Sequence, residues 1–424
     1  MTMEISQLNP LFEKMYGTDP KVQEKQRSRY EELAGFYKEK FGEHELHFFS
    51  TPGRTEIGGN HTDHNYGRVL AGSISLDSVA VAAENDSDRV RVYSVGYDTP
   101  FEVDLAMLEP GKDEYGTTTS LIRGIAARLK DLGYKIGGFN AYLTSDVLPG
   151  SGLSSSASIE VLIGNIISSL FNDDQIPPEV LAMTGQYAEN NFFGKPCGLM
   201  DQVACAMGGI VTIDFRDPKD PQIRKVDFDF AAQDYSMIVV DTGGTHADLT
   251  DDYASVPTEM KSVAEALGSP VCREIELQEL MSRMGELREK TGDRAVLRAL
   301  HFLGDNERVT KQVAALENDD FKAFLGMITD SGNSSYKRLQ NIYSPGNVGE
   351  QGVALALALT ENFLEEIGEG ACRVHGGGFA GTIQIFLPNR AVDAYESMMK
   401  PVFGEDAVHA LKIRALGTLH LNNS

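Results

Sequence analysis

Ten residues at positions 149–158, PGSGLSSSAS, have the composition of a loop that binds phosphate. Small residues let backbone N–H groups approach an anion, and the N-terminus of a following helix adds partial positive charge. The run stands between a strand-like segment, 139–144, and residues 159–171, whose almost uniformly apolar character predicts a buried helix. A flexible linker is the alternative, although linkers seldom run directly into an apolar helix. The candidate phosphate-binding residues are Pro149, Gly150, Ser151, Gly152, Leu153, Ser154, Ser155, Ser156 and Ala157.

This run is not a GxxxxGK[ST] loop, because the lysine of that motif is absent. A second glycine cluster, GGGFAG at 376–381, formally satisfies GxGxxG. The dinucleotide-binding fingerprint must open a helix, whereas residues 382–387 alternate like a β-strand. The cluster therefore predicts a loop whose backbone packs against another loop or a ligand, and a purely structural turn is the alternative.

Two carboxylates flank a tight turn in the middle of the chain. Glu189 falls late in a predicted helix, and Asp201 begins a short helix after the Gly/Pro-bounded segment 194–200. A turn of this kind can hold a carboxylate rigidly toward a cleft, where it can act as a general base. An N-cap would equally explain Asp201, so both roles stay open.

The segment PGRTEIGGNHTDHN, at 52–65, concentrates hydrogen-bonding side chains in what we predict is a glycine-rich loop. Such density suits a polyhydroxylated ligand. His61, Asp63 and His64 are an alternative metal site, but no further His or Asp with ligand spacing accompanies them. A merely solvated polar loop is the simplest alternative.

Alternating strands and helices must position these segments, which indicates the α+β class. With 424 residues, the chain is long enough for two domains. The Asp/Pro-rich stretch 216–222 predicts a boundary between an N-terminal domain, 1–215, and a C-terminal domain, 216–424. The predicted strands are 46–51, 74–83, 89–94, 139–144, 210–215, 226–230, 236–241 and 382–387, and the predicted helices include 21–41, 121–132, 159–171 and 177–192.

The net charge of −24 would repel a polyanion, so we expect no nucleic-acid partner. A small anion such as ATP stays possible, because amides, helix N-termini and Mg²⁺ bind phosphate whatever the net charge. Four widely spaced cysteines predict reduced thiols. The N-terminus resembles no export signal and no apolar run is long enough to span a bilayer, so we expect a cytoplasmic protein without a membrane partner.

Taken in order, PGRTEIGGNHTDHN, LPGSGLSSSAS, GKPCGLMDQ and HGGGFAG resemble the successive motifs of the galactokinases. These belong to the superfamily of galactokinase, homoserine kinase, mevalonate kinase and phosphomevalonate kinase, the GHMP kinases. The resemblance implies a two-domain GHMP fold, with an N-terminal domain like ribosomal protein S5 domain 2 and a ferredoxin-like C-terminal domain. It further implies that ATP and Mg²⁺ meet galactose in the cleft, where the C1 hydroxyl becomes phosphorylated to galactose 1-phosphate.

Carried over position by position, the resemblance makes Asp201 the catalytic carboxylate and Arg54 its cationic partner. Ser156 and Glu189 match the residues that hold Mg²⁺. The positions that match sugar-binding residues are Asn60, His61, Asp63, Gly198 and Tyr253, and the glycine loop contributes Gly376, Gly377, Gly378 and Gly381.

The chain departs from the family pattern at two positions. Where galactokinases usually read GEHTDY, it has Asn60 in place of the Glu that contacts the sugar near C6, and His64 in place of the Tyr. The preferred sugar is then galactose or a relative altered at C6, such as galacturonate or arabinose.

A non-catalytic sensor of galactose and ATP is a further alternative. Such relatives lack a Ser-Ala pair in the phosphate loop, and Ser156 and Ala157 are present here. An amino-acid or mevalonate acceptor is opposed by the HTD stretch. We expect small-molecule partners, ATP and a sugar, and a monomer or weak homo-oligomer.

Overall fold

The computed structural model describes residues 5–148, 150–195, 197–244 and 249–423. The strands are β1 (His47–Gly58), β2 (Arg68–Glu84), β3 (Arg89–Ser94), β4 (Phe101–Asp104), β5 (Phe139–Ser145), β6 (Ile210–Asp214), β7 (Gln222–Val226), β8 (Tyr235–Asp241), β9 (Ala371–Val374), β10 (Thr382–Pro388), β11 (Val408–Leu411) and β12 (Leu419–His420). The α-helices are α1 (Asn9–Tyr16), α2 (Pro20–Phe41), α3 (Thr118–Asp131), α4 (Ser155–Asn172), α5 (Pro178–Ala188), α6 (Met200–Met207), α7 (Thr250–Ala266), α8 (Leu277–Ser282), α9 (Met284–Thr291), α10 (Asp293–Glu317), α11 (Phe321–Ser334), α12 (Gly352–Ile367) and α13 (Val392–Phe403).

The first sheet has the strand order β12-β1-β2-β5-β3-β4, and β6 pairs with β2 and carries β7 at its edge. The β3–β5 pair is parallel, whereas the other pairs are antiparallel. Alternate residues of its strands face opposite sides. Phe49 and Ala80 pack with α3, α4 and α5, whereas Phe48 and Val79 pack with α1 and α2. Both faces of the sheet are therefore covered by helices.

The second sheet is antiparallel with the order β11-β8-β10-β9. One of its faces, with Ile383 and Ile385, packs against α12 and α13, and the other, with Phe386, packs against α10 and α11. Gln384 lies between two apolar positions of β10 and faces β1 of the first sheet. The glycine cluster connects β9 to β10, so the second sheet positions this cluster beside the first sheet.

Two sequence predictions need correction. Residues 52–58 belong to β1 rather than to a loop, because register shifts at Pro52/Arg54 and Glu56/Gly58 let the strand continue past its proline and glycines. A strand at 226–230 is wrong, since the strand is Gln222–Val226 and Phe230–Gln233 forms a 3-10 helix.

The division at 215/216 stays a prediction. Strand β7 follows that point and pairs with β6, and β12 returns to β1 at the end of the chain, so both extend the first sheet. The α+β class is confirmed. Across the described ranges, no helix is long and apolar enough to cross a membrane.

Candidate active site

The phosphate loop leads into α4 and is held through three successive carbonyls. The Ser151 carbonyl accepts from Thr382 Oγ1 at 2.9 Å, and the Leu153 carbonyl accepts from the backbone N–H of Arg54 at 3.0 Å. Between them, the Gly152 carbonyl accepts from Nη1 of Arg54. In a trans peptide the C=O and the following N–H point in opposite directions. Fixing these carbonyls against the protein therefore turns the amides of residues 152–154 the other way, as an anion site requires.

Arg54 also forms a bidentate ion pair with Asp201. Its Nε and Nη2 each lie 2.7 Å from a carboxylate oxygen, and Ser154 Oγ donates to the same carboxylate. Asp201 lies in the first turn of α6, whose N-cap position is Leu199, so its side chain does not cap the helix. About a third of the Asp201 side chain is exposed, against 9% for Arg54. The Asp201 carboxylate is thus held by Arg54 and Ser154, and part of the side chain stays accessible.

The charge state of this pair follows from its contacts. Burial by itself would raise the pKa of Asp201, but the charge of Arg54 and the hydrogen bonds from Arg54 and Ser154 outweigh it and hold the pKa below its usual range. Burial would lower the pKa of Arg54, and Asp201 reverses that effect. Both groups are therefore ionised at neutral pH.

Asp63 lies against Gly198, which stands two residues before the start of α6. A Cβ on Gly198 would come within 2.5 Å of Asp63 Oδ2, so a larger residue there would displace this carboxylate. Asp63 Oδ1 accepts from the backbone N–H of His64 at 3.0 Å. The prediction that these two residues share one site is consistent with this proximity.

His61 and Tyr253 reach the glycine loop from two sides. His61 Nε2 donates to the Gly377 carbonyl at 2.8 Å, and the Tyr253 hydroxyl donates to the Gly378 carbonyl at 2.9 Å. Burial lowers the pKa of His61 to about 4, so it is neutral at pH 7. Burial also raises the pKa of Tyr253 to about 12.

Asn60 is completely buried and uses its full hydrogen-bonding capacity on the protein. Its Nδ2 donates to Glu56 Oε1 at 3.0 Å and to the Gly376 carbonyl at 2.6 Å. Its Oδ1 accepts from Asn341 at 2.9 Å and from Ser335 at 3.2 Å. Arg373 Nη2 completes the group by binding the same oxygen of Glu56 at 2.5 Å. The structure therefore places Asn60 beneath the site, where it ties β1 to the glycine loop.

The glycine loop packs against other loops, which is consistent with the prediction of a loop whose backbone packs against another loop or a ligand. Gly376, Gly378 and Gly381 have positive φ, and the carbonyls of residues 376–378 accept from Asn60, His61 and Tyr253. A Cβ on Gly376 would lie 3.9 Å from the Cα of Gly152. The phosphate loop, the 52–65 segment and the glycine loop thus meet at one place.

Glu189 lies at the start of a π-helical turn, Glu189–Phe193, and is buried. Gln202 Nε2 donates to Glu189 Oε2 at 3.1 Å and to Glu160 Oε2 at 3.0 Å, so one amide bridges two carboxylates. Ser156 is the second residue of α4 and stands one turn before Glu160, and Lys195 Nζ lies 3.5 Å from Glu189. Burial and the charge of Glu189 raise the pKa of Glu160. The other oxygen of Glu160 has no hydrogen-bond partner among the described atoms.

The carboxylates of Glu160 and Glu189 and the hydroxyl of Ser156 are of the kind that a hard cation prefers, because such cations bind carboxylate and hydroxyl oxygens. Over the described ranges, no group of three or more His, Cys, Asp or Glu is arranged to bind a metal, which holds for His61, Asp63 and His64 and also for the carboxylates around Glu189. Pro149 lies outside the described residues.

Sequence reasoning missed several residues of the site. Glu160 gives a signal in retrospect, because it is the one acidic residue in an otherwise apolar helix and stands four positions after Ser156. Several partners of Asn60, among them Asp305 of α10, Asn341 and the Gly376 carbonyl, come from the distant second half of the chain, where spacing carries no information.

Comparisons with known proteins agree with this geometry. Residues 120–209 match the family described as GHMP kinases N terminal domain, and residues 35–84 match the galactokinase galactose-binding signature. A galactokinase from Streptomyces coelicolor is 29% identical over 380 residues, which is 89% of this chain and 94% of that protein. One from Lacticaseibacillus casei is 30% identical over 355 residues, covering 81% and 86% of the two chains.

Solved structures share the fold. Lactococcus lactis galactokinase complexed with galactose has a TM-score of 0.78 at 23% identity, over 92% of this chain and all of that one. Methanococcus jannaschii mevalonate kinase has a TM-score of 0.61 at 17% identity, over 88% and 99% of the two chains. Fold and site therefore define a phosphotransferase of the GHMP kinase class. Within that class, the chain belongs to the galactokinase family.

Proposed function

We propose that this protein transfers the γ-phosphoryl group of ATP to the C1 hydroxyl of galactose and forms galactose 1-phosphate. The observation that carries the proposal is the two-pronged Arg54–Asp201 contact, which Ser154 joins to the phosphate loop. It puts a fixed carboxylate beside the place where an anion would bind. Family membership supports the choice of galactose, which is bound in the Lactococcus lactis structure.

In this proposal the amides of residues 152–154 bind the phosphates of ATP, and Asp201 binds the C1 hydroxyl of the sugar. Because the pKa of Asp201 is lowered, the carboxylate is a weak base. Its main role is then to orient the hydroxyl, and it accepts the proton as the new P–O bond forms. Arg54 offsets the negative charge that develops on the transferring group.

Asp63, Tyr253, His61 and the backbone at Gly198 are the groups proposed to bind the sugar. The carboxylate of Asp63 accepts from ring hydroxyls, and Tyr253 covers the sugar from the side of the glycine loop. Neutral His61 keeps the loop carbonyl at Gly377 engaged, which keeps this edge of the site in place.

Mg²⁺ would be held by Ser156 and Glu189, with Gln202 orienting the Glu189 carboxylate. A bound Mg²⁺ neutralises charge on the phosphates of ATP. The unpartnered oxygen of Glu160 and the excess of carboxylates at this point favour a cation here.

A catalytic role is favoured over a sensor. Ser156 and Ala157 are present at the start of α4, and the Arg54–Asp201 pair is fully assembled. A substrate altered at C6, such as galacturonate or arabinose, stays the second candidate, because Asn60 replaces the family's Glu and is committed to protein partners.

We also propose a cytoplasmic monomer or weak homo-oligomer without nucleic-acid or membrane partners. The net charge of −24 supports the absence of a nucleic-acid partner, and the four free cysteines support a reducing compartment.

The test is an ADP-release assay with MgATP across galactose, galacturonate, arabinose, N-acetylgalactosamine, glucose and homoserine. We expect the highest kcat/KM with galactose and the product phosphorylated at C1 by ³¹P NMR. A preference for galacturonate or arabinose would replace galactose in the proposal, and release of ADP only with homoserine would contradict a sugar kinase.

A further inference from the structure

The contact between Thr382 and the phosphate loop joins the second sheet to the loop. Thr382 is the first residue of β10, and its hydroxyl donates to the Ser151 carbonyl at 2.9 Å. Residues 151 and 382 are each 2% exposed, so water does not compete for this bond. A hydroxyl carries one proton. Thr382 must therefore accept from any other group that bonds to its oxygen.

That other group is His375. Its Nδ1 lies 2.9 Å from Thr382 Oγ1 and must be the protonated ring nitrogen. Its Nε2 is then an acceptor and receives the proton of Thr55 Oγ1 at 3.0 Å. Thr55 in turn accepts from Gln384 Nε2 at 2.7 Å, and the same amide donates to the Glu56 carbonyl, which fixes its orientation.

The result is a directed chain of hydrogen bonds that runs from Gln384 through Thr55, His375 and Thr382 to Ser151. Each link has one possible donor, so the chain fixes the tautomer of His375. The ring also lies directly under the loop, because a Cβ on Gly152 would come within 3.3 Å of Nδ1.

We propose that His375 is a positioning residue of the nucleotide site, which orients the Thr382 hydroxyl and so holds the phosphate loop in the shape that binds ATP. This rests on the proposed function, in which residues 152–154 bind the phosphates. Arg54 holds the next two carbonyls, so Thr382 and Arg54 together fix the loop backbone.

A neutral ring is what this arrangement needs, since a proton on Nε2 would oppose the Thr55 hydroxyl. Burial and the neighbouring charges of Arg54 and Arg373 lower the pKa of His375 to about 3, which keeps the ring neutral. His375 thus supplies a ring donor beneath the loop without adding a third cation beside Arg54.

The experiment compares four single variants and one double variant by calorimetric titration with MgADP and, separately, with galactose. Thr382→Val removes the hydroxyl that donates to Ser151, and His375→Gln removes the ring donor that orients this hydroxyl, so we expect each to weaken MgADP binding about tenfold. Thr382→Ser keeps the hydroxyl and His375→Asn keeps a donor near Nδ1, so we expect both to stay within about threefold of wild type. The double variant Thr382→Val/His375→Gln should lose little more than either single variant, because the two residues act in series.

Galactose affinity should stay within about twofold of wild type in all of these variants. His409→Gln, at a half-buried histidine of β11, is the control for substituting a histidine in this sheet. Unchanged MgADP affinity in Thr382→Val would overturn the inference, as would an equal loss of galactose affinity or no advantage of His375→Asn over His375→Gln. If wild type failed to phosphorylate galactose but MgADP affinity followed this pattern, the inference would stand and the proposed acceptor would fall.

Discussion

Replacing Asn60 with Glu would restore the family's residue, yet the structure predicts that this change alone destabilises the protein. The Asn60 amide donates to Glu56 and to the Gly376 carbonyl, at 3.0 and 2.6 Å. A glutamate there has no donor, so it leaves the buried Gly376 carbonyl unpaired at about 1–3 kcal/mol and leaves Glu56 Oε1 with Arg373 as its donor. It also brings a second carboxylate to Glu56, which costs about 4 kcal/mol for charges about 4 Å apart at an effective dielectric of 20.

Uptake of a proton limits this cost, so we expect Asn60→Glu to lose about 3–5 kcal/mol of stability at pH 7. The folded state raises the pKa of the carboxyl pair above the unfolded value. It therefore binds the extra proton, and stability falls as pH rises through the range between those two values. The deficit relative to wild type should be larger at pH 8 than at pH 5.

The rescue is the exchange Glu56→Gln with Asn60→Glu. The amide introduced at position 56 then donates to the carboxylate at position 60, and Arg373, which binds Glu56 at 2.5 Å in the wild type, faces a single carboxylate again. Urea unfolding followed by circular dichroism at pH 5 and pH 8 measures all three proteins, with Asn347→Glu as an exposed control. Wild-type stability of Asn60→Glu at pH 8, or no recovery in the exchange variant, would refute the reasoning. The exchange variant is also the suitable protein for asking whether a carboxylate at position 60 raises kcat/KM for galactose relative to galacturonate.

Three further predictions concern other parts of the protein. Gln202→Met removes the amide between Glu160 and Glu189, so the apparent Kd of Mn²⁺ measured by electron spin resonance should rise about tenfold or more, with Gln312→Met as a control; an unchanged Kd would contradict the bridging role. Asp77→Asn leaves buried Arg414 without its counter-ion and leaves Arg29 with Asp146 alone, 3.5 Å away, and should cost about 3–5 kcal/mol at pH 7. Because the folded pKa of Asp77 is lowered by those arginines against the opposing effect of burial, the deficit should shrink as pH falls below about 4, and a pH-independent deficit in thermal unfolding would contradict this. Tyr253→Phe removes the bond to Gly378 and should raise KM for galactose about three- to tenfold with KM for ATP unchanged, and steady-state kinetics showing the reverse would exclude Tyr253 from the sugar site.

The sequence predicted most elements because their periodicity was strong. Residues 159–171 lie within α4, and the glycine cluster precedes a strand, as expected. It failed at Pro52 and Gly53, which normally end a strand but here occupy a bulge of β1. The pairing with β2 continues β1 past these residues, and this long-range pairing cannot be predicted from local residue preferences.

The candidate site divides in the same way. Motif order located Arg54, Asp201 and Asp63, and the structure adds the Arg54–Asp201 contact across 147 residues. Asn60 shows the limit of motif reasoning, because its buried partners Glu56, Asn341 and Gly376 decide what the side chain can do. The roles of Gln202 and His375 depend on contacts that spacing cannot reveal.

The central claim is that Asp201, held by Arg54, orients the acceptor hydroxyl, and turnover of Asp201→Asn tests it most directly. We expect kcat with MgATP and galactose to fall about 10²-fold or more while the Kd for MgADP stays within about threefold of wild type. Asp214→Asn is the control, since Asp214 is likewise paired with arginine, with Arg68 at 2.9 Å and Arg273 at 2.8 Å, and should leave kcat nearly unchanged. Wild-type turnover of Asp201→Asn would contradict the account.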